Sequence, residues 1–174
     1  MIVSDASPLI YLAKINRLDL LYDIFETVHI PERVRVEVVD RGKELGESDA
    51  LIIENAIESG WIEVSQVEPL KVPIELEEGE IAALSLAKRM GIEEVLVDEV
   101  PARKAARMLD LRPRGTLYVL LKDVERGKTS LDGFLEVLDE LAGEGFRLKE
   151  EVYLKAVKKA REYSRWREHD DCPG

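Results

Sequence analysis

The chain has 174 residues and a formal net charge of −11, and 45% of its residues are hydrophobic and 35% charged. This length predicts one domain with a substantial core, and the composition is that of a globular chain, which excludes a disordered protein. The acidic balance argues against a general nucleic-acid coat protein. The only cysteine, Cys172, excludes an intrachain disulfide, and no apolar run approaches the roughly 20 residues of a membrane span.

The first half of the chain alternates short apolar runs with amphipathic segments. Residues 2–5 predict a short strand that is buried on both faces. Ser7 is well placed to cap the helix that follows, with Pro8 at its first position. The next predicted elements are a helix at 18–25, a strand at 27–30, a helix that Pro31 opens, a helix at 48–59 and a strand at 61–64.

The second half begins after a polar connection at residues 65–75. It predicts a helix at 77–90 that Gly91 stops, a strand at 93–98, a helix at 102–109, a short strand at 111–114 and helices at 115–125, 131–141 and 150–161. Because strands and helices alternate, we predict an α/β fold in which a parallel sheet of four to five strands lies between two layers of helices. The predicted domain covers residues 1–148, and residues 149–174 form a C-terminal helix and polar tail.

Four acidic residues lie where these elements carry them toward one end of the sheet. Asp5 and Asp98 each close a predicted buried strand, and Glu37 and Glu80 lie in the helices between them. Carboxylates that converge there repel one another, and a divalent cation such as Mg²⁺ or Mn²⁺ removes that penalty. A metal bound in this way can activate a water and stabilise charge on a phosphate. The pattern therefore predicts an acidic metal site.

Simpler structural roles remain open for these acids. Asp5 could cap the first helix, although Ser7 is the better-placed cap and a charge that follows a buried run is costly. The run around Glu80 also contains Glu75, Glu77 and Glu78. Helical phase favours Glu80, because it shares the inward face with Leu84 and Ala87. Glu77 has a related phase but falls in the first turn, where it could serve the helix dipole.

A basic segment follows the last of the four acids. Residues 1–98 contain 9 Lys/Arg and 21 Asp/Glu, whereas residues 99–128 contain 8 Lys/Arg and 4 Asp/Glu. Arg103, Lys104 and Arg107 have the spacing of one helix face, with an ordinary solvated face as the alternative. Arg114 and Thr116 lie at a helix N-terminus that could accept a phosphate, with a plain turn as the alternative. We therefore predict that these five residues bind a phosphodiester backbone.

Several segments together resemble the PIN domain family. The likeness lies in residues 3–9, 31–38, 78–84 and 96–99, with further support at 102–103 and 115–117, and it extends over roughly residues 1–145. The four acids appear in the family's order. More narrowly, these segments resemble an archaeal and bacterial PIN subgroup related to VapC toxins. Many PIN toxins have Asp at the position of Glu80, so an acid is retained here with a longer reach.

The resemblance implies a metal-dependent nuclease that acts mostly on RNA. It implies that Asp5, Glu37, Glu80 and Asp98 are the catalytic residues and bind Mg²⁺ or Mn²⁺. Glu99 can supplement this set, and Ser7 is the polar residue beside the first acid. The expected function is a cytoplasmic endoribonuclease that cuts single-stranded RNA in a toxin–antitoxin system or in RNA processing. The alternative is a PIN-like module that binds RNA or protein with little or no activity.

The resemblance also implies partners. We expect a homodimer, with a small antitoxin protein as a second candidate partner. Two apolar surfaces could form the dimer: Leu18, Leu21, Tyr22 and Phe25 in the second helix, or Val152, Tyr153, Ala156 and Val157 in the last one. A phosphatase of the haloacid dehalogenase type is disfavoured, because it needs an acid two residues after Asp5, where this chain has Ser7.

Overall fold

The computed structural model of the chain describes residues 1–170, with side chains as far as residue 166. Cys172 lies outside the described residues. Met1–Thr116 forms one compact unit, and the chain from Leu117 onward forms a second. None of the helices in the described part combines the length and the apolar character that crossing a membrane requires.

The first unit contains five parallel strands, which are β1 (Ile2–Ser4), β2 (Val28–Pro31), β3 (Ile62–Ser65), β4 (Glu94–Leu96) and β5 (Arg112–Arg114). Their order across the sheet is β3-β2-β1-β4-β5, and all four neighbouring pairs are parallel. The chain therefore builds outward from β1 to one edge and then returns to build β4 and β5 on the other side. The strand order reverses between β1 and β4.

Helices cover this sheet on both faces. In chain order they are α1 (Ala6–Lys14), α2 (Asp19–Phe25), α3 (Glu32–Arg35), a π-helical segment at Val36–Arg41, α4 (Gly42–Glu44), α5 (Ser48–Glu58), α6 (Glu78–Met90) and α7 (Val100–Met108). Since connections between parallel strands are right-handed, the reversal of strand order sends α6 and α7 to the face opposite α1 and α5. The predicted α/β fold, with a parallel sheet between helices, is confirmed.

The core beneath α6 and α7 joins the two helices to the central strands. Val3 and Val95 pack there against small side chains of both helices, which include Ala83, Ala87 and Ala106. These alanines let the helices approach the sheet closely. The first residues of α6 are thereby carried to the carboxyl ends of β1 and β4.

The C-terminal unit is helical. It contains most of α8 (Thr116–Glu125), together with α9 (Leu131–Gly143) and α10 (Glu150–Asp170), and α9 packs against α10. The side chain of Ser130 caps α9 by accepting a hydrogen bond from the backbone N–H of Gly133 at 3.1 Å. The domain boundary at residue 148 stays a prediction.

Two expectations from the sequence were wrong. The first helix begins at Ala6, so Asp5 occupies the N-cap position and Ser7 lies inside the first turn. Pro8 tolerates this shift, because a proline is accommodated throughout the first turn, where its missing N–H has no helical partner. The apolar surface expected on α2 is mostly core, because Leu18, Leu21 and Phe25 are buried and only Tyr22 is exposed.

Candidate active site

The acids of the two central strands meet where the strand order reverses. Asp5 follows β1 directly, and Asp98 comes two residues after β4. The strands are held in register there, because the backbone N–H of Asp5 donates to the carbonyl oxygen of Leu96 at 2.9 Å. Open α/β sheets bind ligands in the crevice that forms at this point, outside the carboxyl ends of the strands.

Asp5 is the most strongly perturbed of the four acids. The residue is only 5% exposed. The pKa of Asp5 is raised to about 7, and burial is the largest cause. The hydrogen bond from the Ala6 N–H lowers the pKa, whereas the negative charges of Glu80, Glu37 and Asp98 raise it. Although Asp5 stands at the N-cap of α1, its side chain makes no capping hydrogen bond. Pro8 has no N–H to offer at the third helical position. The carboxylate is therefore poorly compensated within the protein.

Glu37 reaches the same crevice from the π-helical segment. A Cβ atom at Gly79 would lie 3.0 Å from Glu37 Oε2 and 3.3 Å from Asp5 Oδ1, so both oxygens border one small space. Burial, followed by the charge of Glu77, raises the pKa of Glu37. Single π-helical turns occur frequently at functional sites, where the extra residue redirects side chains. Here the segment carries the residue that faces Asp5.

Glu80 lies on α6 and has two roles. It is 7% exposed, as the inward phase predicts, and it is the third residue of α6. Its Oε2 accepts a hydrogen bond from the Glu77 N–H at 2.9 Å and completes a capping box. Burial raises the pKa of Glu80, the capping bond opposes this, and the charges of Glu77, Glu99 and Glu37 raise it again.

Asp98 is held more firmly than Asp5. Thr116 donates its N–H to Asp98 Oδ1 at 2.8 Å and its hydroxyl to Oδ2 at 2.7 Å. Arg103 lies beside them and donates from Nη1 to the carbonyl oxygen of Val97 at 3.0 Å. Burial raises the pKa of Asp98, while the hydrogen bonds from Thr116 and then the charge of Arg103 oppose the shift. Each carboxylate oxygen has a second lone pair, which leaves Asp98 able to bind a cation as well.

The four carboxylates thus provide oxygen donors, and Asp5 in particular has little internal compensation. Within residues 1–166, no three His, Cys, Asp or Glu side chains already stand at the spacing of a metal-ligand group. Mutual repulsion keeps the carboxylates of the metal-free protein apart, and a bound cation would attract their oxygens toward itself. An all-oxygen donor set suits Mg²⁺ or Mn²⁺. The residues fit such a cation, because the space beside Gly79 is bordered by two carboxylate oxygens from different elements.

The residues predicted to bind substrate are only partly available. Lys104 and Arg107 are exposed on α7. Arg114 pairs with Glu94 across β4 and β5 at 2.7 Å, and Thr116 is fully buried with both donors on Asp98. Thr116 therefore orients Asp98 instead of facing a substrate. The roles assigned to the acids and to the basic residues stay predictions.

The remaining predicted residues lie at the margin of the crevice. Ser7 is half-buried in the first turn of α1, and Glu99 is exposed at the N-cap of α7. Sequence reasoning missed Gly79 and Gly115, and a Cβ atom at Gly115 would lie 2.8 Å from Asp98 Oδ1. The only signal in the sequence was their position, because Gly79 directly precedes Glu80 and Gly115 directly precedes Thr116, which hydrogen-bonds to Asp98.

Comparison with known proteins assigns the family. A family model described as PIN domain matches residues 1–162. Comparisons with curated proteins and with solved structures give no match. The narrower likeness to VapC toxins stays a prediction. Because the match covers nearly the whole sequence, the chain belongs to the PIN domain family.

Proposed function

We propose that this protein is a divalent-metal-dependent nuclease that hydrolyses phosphodiester bonds in single-stranded RNA. The observation that supports it best is the meeting of Asp5, Glu37 and Glu80 at one crevice, where burial raises the pKa of each acid and neighbouring negative charges raise it further. PIN domains are generally nucleases, which agrees with this chemistry. Clusters of buried, perturbed acids in a crevice are a common property of catalytic sites.

In this proposal each residue has a defined task. Asp5, Glu37, Glu80 and Asp98 hold Mg²⁺ or Mn²⁺, which when bound supplies an activated water and offsets charge on the phosphate. Thr116 fixes both oxygens of Asp98. The capping bond to Glu77 fixes one oxygen of Glu80. Lys104 and Arg107 attract the RNA backbone, since phosphate contacts position a nucleic acid.

The proposal is tested by cleavage of labelled RNA. Wild-type protein is incubated with a mixed-sequence single-stranded RNA and with the matching DNA, in Mn²⁺, in Mg²⁺ and in excess EDTA. We expect RNA cleavage that EDTA stops and that added metal restores. Asp5→Asn, purified identically, controls for a contaminating nuclease. RNA binding without any cleavage by the wild type would instead support the alternative of a PIN-like binding module.

The exposed basic residues of α7 give a second prediction. Lys104→Gln combined with Arg107→Gln should weaken RNA binding and flatten its dependence on salt, by a slope of about 0.7 for each lost phosphate contact. Arg103 is left intact because it lies beside Asp98. Binding is measured by fluorescence anisotropy over a series of salt concentrations. The control is Lys88→Gln, because Lys88 is exposed and lies near the C-terminal end of α6, away from the acids at its N-terminal end. An unchanged slope in the double variant would identify that edge as an ordinary solvated face.

We further propose that the protein forms a homodimer through α10. Ala156 and Val157 are buried, whereas Val152, Tyr153 and Leu154 remain 42%, 38% and 56% exposed. Sedimentation at high micromolar concentration should show a dimer that Leu154→Glu weakens. Met90→Glu, at an exposed apolar residue on α6, should leave the dimer intact. A wild-type monomer at that concentration would contradict this prediction.

The resemblance to VapC toxins extends the proposal to a biological setting. A small antitoxin protein is the second candidate partner, in a toxin–antitoxin system or in RNA processing. A cytoplasmic location goes with an RNA substrate. Copurification of a small protein encoded beside this chain would support the toxin–antitoxin role over RNA processing.

A further inference from the structure

We propose that Gly79 is a positioning residue whose missing side chain keeps open the space in which Asp5 and Glu37 hold a cation. The inference rests on the proposed metal-dependent function. It assigns a task to a residue that carries no chemical group of its own. The argument depends on which atoms surround Gly79 and on what its backbone requires.

The nearest neighbours of Gly79 are the carboxylates. A Cβ atom at this position would lie 3.0 Å from Glu37 Oε2 and 3.3 Å from Asp5 Oδ1, both closer than ordinary van der Waals contact. The next atom, Val34 Cγ2, would be at 3.7 Å, which is an ordinary packing distance. A methyl group here would therefore intrude between the two acids before it disturbed the packing of α3 against α6.

The backbone does not require glycine at this position. Gly79 is the second residue of α6, and its φ is not among the positive values found elsewhere in the chain, such as that of Gly91. Alanine has a higher helix propensity than glycine in a helix. Glycine at this position therefore weakens the helix slightly, and the space beside the carboxylates gives a reason for it.

Other helical glycines show that this environment is specific. A Cβ atom at Gly42 would meet the Cβ of Ala50 at 2.7 Å, so Gly42 allows close packing of two helices. A Cβ atom at Gly143 would meet nothing within 4 Å. Gly79 differs from both, because its two closest neighbours are carboxylate oxygens from two different elements.

The effect of a methyl group should depend on the metal. Without a cation, the half-buried side chain of Glu37 can swing away from an alanine at position 79. With a cation, Glu37 and Asp5 must both point inward, and the methyl group occupies the space between them without offering a ligand. Gly79→Ala should therefore fold as well as the wild type and bind metal more weakly.

The test measures Mn²⁺ binding by the full chain with isothermal titration calorimetry, without any activity assay. We expect Gly79→Ala to raise the Kd at least tenfold and Gly143→Ala, the same change in open space, to leave it within twofold. Circular dichroism and thermal melts in EDTA should show both variants folded. Asp5→Asn reports on the metal site itself and should abolish binding.

Further variants separate metal positioning from packing. In the background of Glu37→Asp, whose carboxylate is shorter, Gly79→Ala should weaken binding less than it does in the wild type. Val34→Ala should give no such relief. Relief by Val34→Ala instead would identify Gly79 as a packing residue and overturn the inference. If Gly79→Ala alone does not fold, the double variant is compared with Glu37→Asp, and a loss of affinity of tenfold or more, which would show no relief by the shorter carboxylate, would overturn the inference.

The outcomes also separate this inference from the proposed function. If Asp5→Asn loses Mn²⁺ while Gly79→Ala binds like Gly143→Ala, the metal site stands and the role of Gly79 is wrong. If the wild type binds no Mn²⁺, both the metal site and the role of Gly79 are overturned.

Discussion

Asp5→Asn is expected to stabilise the metal-free protein at neutral and alkaline pH while it removes metal-dependent cleavage. The side chain is buried, and that burial, with three neighbouring acids, raises the pKa of Asp5 from its ordinary value of 3.8 to about 7. Holding this carboxylate ionised therefore costs folding free energy. Asparagine keeps the shape of the side chain without the charge. The same change removes an oxygen ligand that the proposed metal site requires.

The stabilisation should depend on pH in a defined direction. The pKa of Asp5 is higher in the folded protein than in the unfolded chain, so between pH 4 and 7, roughly, the folded state binds more protons. The wild type therefore loses stability as the pH rises through this window, and the loss is complete above the folded-state pKa. Asp5→Asn avoids that loss. Its advantage should be absent near pH 4 and largest above pH 7, where we expect several degrees in Tm, since ~1 kcal/mol shifts a chain of this size by 2–4 °C.

Thermal melts in EDTA at pH 5 and pH 8 measure this difference. Asp139→Asn makes the same chemical change at an exposed position of α9 and should give no comparable gain. Excess Mn²⁺ at pH 8 should reverse the order, because a ligand that binds the folded state stabilises only the protein that binds it. An equal gain in Tm at both pH values would show that the charge of Asp5 does not destabilise the folded protein.

The strand ends could be predicted from sequence because their signal is local. A run such as Ile2-Val3-Ser4 must be buried on both sides, and a charge directly after it has to emerge at the end of the strand. The same logic identified Asp98. Parallel strands place such residues on one edge, so the meeting of Asp5 and Asp98 followed from alternation of strands and helices alone.

The features that sequence reasoning missed depend on local backbone geometry or on distant partners. The π-helical turn at Val36–Arg41 leaves no distinct hydrophobic period over six residues. The capping box of α6 starts from Glu77, whereas Ser, Thr, Asp and Asn are the residues that usually signal an N-cap. The pairing of Arg114 with Glu94 requires the register of β4 against β5. A count of basic residues therefore overstates the positive charge that is available to a substrate.

The burial of Leu18, Leu21 and Phe25 is a similar case. Their helical spacing predicts an apolar face, but only the tertiary structure decides whether that face meets the core or a partner. In this chain it meets the core. The exposed apolar residues of α10 could be distinguished from this buried apolar face only after the fold was known.

Glu80→Gln is expected to remove most metal-dependent cleavage, whereas Glu75→Gln and Glu78→Gln should leave it nearly intact. The three acids lie close together in sequence, but Glu80 is buried and the other two are exposed. Glu78 forms an ion pair with Arg33 on the surface, and such exposed pairs contribute little to stability. The three substitutions make the same change in charge, so bulk electrostatics cannot distinguish them.

Glutamine at position 80 also separates the two roles of the side chain. Its amide oxygen can still accept the hydrogen bond from the Glu77 N–H, so the cap of α6 and the fold should be preserved. The negative charge that would bind the cation is lost. We therefore expect an unchanged circular dichroism spectrum and a loss of cleavage activity on the order of 100-fold. Losses of this size are typical when a group that supports a metal site is changed. Equal losses at all three positions would mean that the acidic run acts through its total charge, and Glu80 would then not be a ligand.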